Sequence, residues 1–125
     1  MFAIMTIQIS RSLFMDITET DFTDIIDIGA PIWDNWATEA CYFEPYSETD
    51  PEASLTIKSE EGTSVIRKAD IENAIEKILS ENSPVRAGIK ITVWDAVRQD
   101  DWSVIDAIVA DAIIQVACFN EIVFG

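Results

Sequence analysis

The chain has 125 residues, 49% of them apolar, and a formal net charge of −15 from 23 acidic and 8 basic residues, with no histidine. That length fits one domain, residues 1–125, with enough chain for a hydrophobic core, and the apolar content excludes a disordered polymer. The net charge opposes direct binding to nucleic acid or anionic membrane, and the missing histidine removes the commonest general base and metal ligand.

The charge is unevenly placed. Residues 12–57 hold eleven acids and no base, residues 58–98 hold seven of each, and residues 99–125 add five acids and no base. Mixed-sign surfaces gain i,i+4 pairs along helices, and a one-signed stretch forgoes them. Such a field favours a positively charged partner.

Residues 5–10 (MTIQIS) alternate apolar and polar and suggest a short strand, with a helix start as the alternative. Met1 to Met5 are apolar but have no basic segment before them, and Arg11 follows too early for a secretory signal. Thr18 and Asp21 form a capping-box start, with Phe22, Ile25, Ile26 and Gly29 on one helical face and Asp21, Asp24 and Asp27 opposite. Pro31 is expected to end this helix at Ala30. Ala40 to Phe43 reads as a strand, and Glu44 to Ala53, with Pro45 and Pro51, as a polar loop. Leu55 to Lys58 and Ser64 to Arg67 flank Glu60-Glu61-Gly62, a hairpin signature.

Ile71, Ala74, Ile75, Ile78 and Leu79 form the apolar stripe of a second helix. Residues 85–98 fit either period, and the Ser83-Pro84 start favours a helix. Ser103 with Asp106 caps a last helix that is apolar over most of its circumference, as a helix at the centre of a core would be. Asp106, Asp111 and Gln115 interrupt it, so Val104 to Phe119 falls short of a membrane span. The expected fold is α+β: a small antiparallel sheet of about three strands packed against about four helices, the C-terminal one central.

Several motifs carry candidate chemistry. Successive acids at i+3 on a helix rise about 4.5 Å each, and a rigid row of carboxylates resembles a phosphate backbone, which carries one charge about every 3.4 Å per strand. The alternative is a solvated helix face. The phosphate-mimicking candidates are Asp16, Glu19, Asp21, Asp24, Asp27, Asp34, Glu39, Glu44, Glu48, Asp50 and Glu52, with Trp33 or Trp36 as aromatic anchors for a partner. Packing is the competing role for both indoles.

Glu44, Glu48, Asp50 and Glu52 lack the spacing and glycine of a calcium loop, so no metal and no cofactor is expected. Carboxylate pairs such as Asp34 with Glu39, or Asp100 with Asp101, beside Trp33 and Trp36 offer a weak case for glycoside chemistry. Cys41 and Cys118 have no histidine or cationic neighbour to activate them and read as small buried hydrophobes in a reducing compartment. Asp111 and Gln115 share a face of the apolar helix and, if buried, need partners; a structural network or a homodimer contact is the expected role.

Ile7-Gln8-Ile9-Ser10-Arg11, Gly29 to Trp36-Ala37, Ala69 to Ile75, Val85 to Ile89 and above all Ala110 to Gly125 resemble a family of small bacterial and phage proteins. The signature AD-x-I-x-Q-x-A-x-F-x-E-I-V-[YF]-G runs over the last sixteen residues. Two positions depart from the family pattern, Gly29-Ala30-Pro31 where it has a glycine pair and Asn120 where it has glycine. The resemblance implies a phage or mobile-element context, in which small acidic proteins often inhibit host defence.

Together these readings point to a non-enzymatic, nucleic-acid-mimicking inhibitor in the host cytoplasm. Its partner would be the basic nucleic-acid-binding surface of a host defence protein such as a CRISPR effector or restriction enzyme. Two alternatives stand beside it: a phage assembly accessory that self-associates through the C-terminal helix, and a small-molecule binder using the aromatic and acidic cluster.

Overall fold

A computed structural model describes residues 16–43 and 52–125; the expected strand at 5–10 and the acids Glu44, Glu48 and Asp50 lie outside them. Helix α1 spans Glu19–Trp36. Its start is the expected capping box: Asp21 N–H donates to Thr18 Oγ1 and Thr18 N–H to Asp21 Oδ2, both at 3.0 Å, which satisfies two of the donors a helix start leaves open. Phe22, Ile25, Ile26, Gly29 and Trp33 form its buried face.

The helix does not end at Ala30, as Pro31 suggested, but runs through the proline to Trp36. Pro31 sits on the exposed face, where the Asp27 carbonyl that loses its helical donor faces the solvent side. The buried face continues past it without interruption. Trp33 reinforces the run by donating its indole N–H to the Ile26 carbonyl at 2.9 Å.

Strands β1 (Glu39–Phe43), β2 (Ser54–Ser59) and β3 (Gly62–Arg67) form an antiparallel sheet in that order. Glu60 and Glu61 make the hairpin turn, and Ser59 opposes Gly62, whose φ of 117° suits a residue without a Cβ. Leu55, Ile57 and Ile66 are buried on one sheet face, while Cys41, Lys58, Thr63 and Val65 on the other are exposed. This alternation is that of a half-buried antiparallel sheet. It places Cys41 on the outside, contrary to its expected burial, while Cys118 is half-buried.

Helix α2 (Lys68–Leu79) buries Ile71, Ala74, Ile75 and Ile78. Residues 85–98 are mostly helical, as the Ser-Pro signal favoured, but α3 spans Ala87–Gln99 and starts after Arg86 rather than at Pro84. It ends on Asp100 in the left-handed region at φ 50°, a conformation that aspartate tolerates better than most side chains.

Asp101 then caps a 3₁₀ turn, Trp102–Val104, by accepting from Ser103 N–H at 2.9 Å. The last helix, α4 (Ala107–Phe119), is capped by Asp106 alone, which accepts from Val109 N–H at 2.9 Å. Ser103 belongs to the preceding turn, so the expected Ser103 to Asp106 box does not form.

The result is the α+β arrangement read from the chain: four helices with a three-stranded antiparallel sheet among the described residues. Helix α4 is its centre, packing against α1, α2, α3 and β3, with Val109 through Val116 all buried.

Helices α1 and α4 approach closely at Gly29. A Cβ there would lie 3.1 Å from Ile114 Cδ1, 3.2 Å from Ala110 Cβ and 3.2 Å from the Asp111 backbone nitrogen. A branched side chain would have to part α1 from α4. Gly29→Val is expected to destabilise the fold by about 2–3 kcal/mol, read as a shift of the urea midpoint with unchanged slope.

Candidate functional site

Asp24, Asp27 and Asp34 are exposed on α1. At about 100° per residue they fall within about 80° of arc, on the side opposite the buried Phe22, Ile25, Ile26 and Gly29. No ion pair involves any of the three among the described residues. Thr20, Pro31 and Asn35 complete this stripe and are exposed as well. Because the opposite face is locked against α4, the three carboxylates stand on a fixed support.

The other candidate acids have different roles. Asp21 is held in the capping box. Asp16 pairs with Lys68 at 3.6 Å, Glu39 with Lys58 at 3.3 Å and Glu52 with Arg67 at 3.7 Å. Each is a surface pair of small energetic worth, but each offsets a negative charge with a base from the balanced middle of the sequence. Glu19 is partly buried, with Oε2 withdrawn from solvent and without a hydrogen-bond partner among the described residues.

Neither tryptophan is the open anchor that the sequence suggested. Trp33 is 8% exposed and bonded internally. Trp36 is half-buried and belongs to a polar and aromatic cluster with α4. Its indole N–H donates to Asp111 Oδ1 at 2.7 Å, and Gln115 Nε2 donates to Asp111 Oδ2 at 2.8 Å.

Gln115 then reaches the segment after α4. Its Oε1 accepts from Val123 N–H at 2.9 Å and Phe124 N–H at 2.8 Å, and its Nε2 donates to the Phe124 carbonyl at 2.9 Å. The orientation of the amide follows from Asp111: a carboxylate offers acceptors only, so Nε2 must face it and Oε1 the segment. The Phe124 ring stacks on Trp36 with centroids 5.0 Å apart and planes 6° apart, and Phe119 closes the cluster, tilted, at 5.6 Å from Trp36 and 5.8 Å from Phe124.

Asp111 and Gln115, polar residues on an apolar helix, need partners by their position alone, but the partners are not local to the helix: Trp36 lies 75 residues from Asp111, and Phe124, nine residues from Gln115, follows the helix end.

Burial pushes the Asp111 carboxyl above the usual carboxylate range, against the lowering effect of the Trp36 and Gln115 hydrogen bonds. Glu72 is also raised by burial, although it accepts from Ile17 N–H at 2.9 Å and lies 4.0 Å from Lys68. Both native carboxyls hold protons more tightly than in the unfolded chain, so their contribution favours folding at low pH and is lost as pH rises through the raised values.

The described residues show no group of three or more metal-ligating side chains. A depression of about 130 Å³ is lined by Asp70, Asn73, Lys77 and Asn120 among others, small against the roughly 300 Å³ of an ordinary ligand site. Asp101 is a cap, held low by its Ser103 hydrogen bonds, and the neighbouring Trp102 ring is buried. Burial pushes the Cys118 thiol up to about 11, which leaves it protonated and a poor nucleophile.

Gln115→Leu should cost about 1–3 kcal/mol by unpairing the groups it serves. It also removes a hydrogen bond that lowers the Asp111 pKa, so the loss of stability with rising pH should extend to higher pH than in the wild type. Urea midpoints measured between about pH 4 and pH 8 test both effects.

Compared with protein-family models, curated proteins and solved structures, the chain matches none.

Proposed function

We propose that this protein is an acidic, nucleic-acid-mimicking inhibitor of phage or mobile-element origin. It would occupy the basic DNA- or RNA-binding surface of a host defence protein, such as a CRISPR effector or restriction enzyme, without catalysis of its own. The observation that carries this reading is the exposed α1 stripe: Asp24, Asp27 and Asp34, without an ion pair among the described residues and rigidly supported, in a stretch of 46 residues without one base.

Along the helix axis Asp24 and Asp27 are about 4.5 Å apart and Asp27 and Asp34 about 10.5 Å. Lys and Arg side chains that neutralise phosphates can meet such a surface with the same charge-assisted geometry. Asp16, Glu39 and Glu52 are secondary contributors, because their ion pairs with Lys68, Lys58 and Arg67 must open first.

The alternative of self-association through α4 has less support, since residues 109–116 lie inside the chain's own core. The small-molecule reading is weaker too, with both helix indoles committed internally.

The test is capture from bacterial lysate with the wild type and with Asp24→Asn/Asp27→Asn/Asp34→Asn. The wild type should retain a nucleic-acid-binding protein that duplex DNA or RNA displaces and that about 0.5 M salt releases. The triple variant, folded by circular dichroism, should bind it about tenfold or more weakly. Capture that is indifferent to both salt and nucleic acid, or equal capture by the variant, would sink the proposal.

A further inference from the structure

The cluster around Gln115 has the parts of a peptide-recognition site, already filled from within the chain. Recognition of an extended segment requires paired main-chain hydrogen bonds and a pocket for a side chain. Gln115 provides the first, engaging Val123 N–H, Phe124 N–H and the Phe124 carbonyl. Trp36 and Phe119 provide the second, as walls around the Phe124 ring.

The residues that form the receptor belong to rigid elements. Gln115 is 1% exposed and Asp111 6%, and Asp111 fixes both the Gln115 amide and the Trp36 indole. The segment they hold is loosely attached by comparison. Residues 121–125 belong to no helix or strand, Glu121 and Val123 are exposed, and Ile122 and Phe124 are only half-buried. It leaves α4 through Asn120, the C-cap residue, in the left-handed region at φ 65°. A segment outside the helices and strands, with more than half of its residues exposed, opens at a lower free energy than the core does.

We propose that the groove between Trp36, Phe119 and Gln115 is a docking site for an extended segment of another polypeptide that presents an aliphatic residue followed by an aromatic one. Residues 122–124 close it in cis as a built-in competitor. The partner segment would replace Val123 and Phe124 bond for bond: two N–H groups onto Gln115 Oε1, one carbonyl onto Nε2, and a ring onto Trp36. The interaction is apolar and main-chain in character, and it does not use the carboxylates of α1.

The test uses isotope-labelled full-length protein and a capped peptide with the sequence of residues 120–125, followed by nuclear magnetic resonance. With Phe124→Ala protein, which vacates the ring pocket, the peptide should shift the Trp36 indole N–H and Gln115 side-chain resonances to saturation. A peptide with alanine in place of its phenylalanine, or wild-type protein with its own segment in place, should bind about tenfold or more weakly.

Phe124→Leu serves if the alanine variant is not folded, since leucine keeps the apolar filling and loses the stack. Asp24→Asn/Asp27→Asn/Asp34→Asn added to either variant should leave the peptide affinity unchanged, which separates this site from the acidic stripe. Absence of saturable shifts in folded protein, equal binding of the alanine peptide, or equal affinity for wild type and variant would overturn the proposal.

Discussion

The carboxylate of Asp111 ties together the end of α1, the central helix and, through Gln115, the segment that follows it. It faces α1 from the central helix, and each of its oxygens accepts one hydrogen bond, from Trp36 on one side and Gln115 on the other. Trp36 fixes the last turn of α1, and Gln115 fixes the segment that follows α4. Burying a charge among apolar side chains opposes folding, and the raised Asp111 pKa is the signature of that cost. What the charge contributes is direction. An acceptor at this point determines which way the Gln115 amide faces, and therefore which backbone groups it can hold.

The same helix pair accounts for the stiffness of the acidic face. Gly29 lets α1 approach α4 at backbone distance, and the buried side chains on either side of it keep α1 from rotating. Folding also redistributes charge. The sequence separates acids from bases, but Lys58, Arg67 and Lys68 fold back onto Glu39, Glu52 and Asp16 and partly mix what the chain had kept apart. Among the last five acids, Asp101 and Asp106 serve as caps and Asp111 lies in the core. Among the described acids of residues 12–57, Asp24, Asp27 and Asp34 on α1 keep an exposed stripe that no base offsets.

Most of the architecture was legible because local rules and tertiary packing agree. The capping box at Thr18, the Glu60-Glu61-Gly62 hairpin and the apolar stripe of α2 are each recognisable within a dozen residues. The all-round apolar pattern of residues 109–116 announced the central helix. The failures have physical reasons. Pro31 disfavours a helix locally, but it lies on the exposed side of α1, and the buried face continues past it to Trp33. Cys41 looked buried by residue type, yet strand parity places it outside. The roles of Trp36 and Phe124 depend on a contact across most of the chain, which periodicity cannot reveal. Two polar residues on an apolar helix, Asp111 and Gln115, were the trace of it.

The two thiols differ in a way that follows from the sheet and the core. Cys118 sits against Ser64 with its pKa displaced to about 11 by burial, while Cys41 stands on the open face of the edge strand β1. Toward an alkylating reagent at neutral pH the folded molecule is in effect a single-cysteine protein. A label placed there lies on a strand joined to α1 through the hydrogen bond between Tyr42 and Thr23, within a short chain distance of the acidic stripe and on the outward side of the sheet.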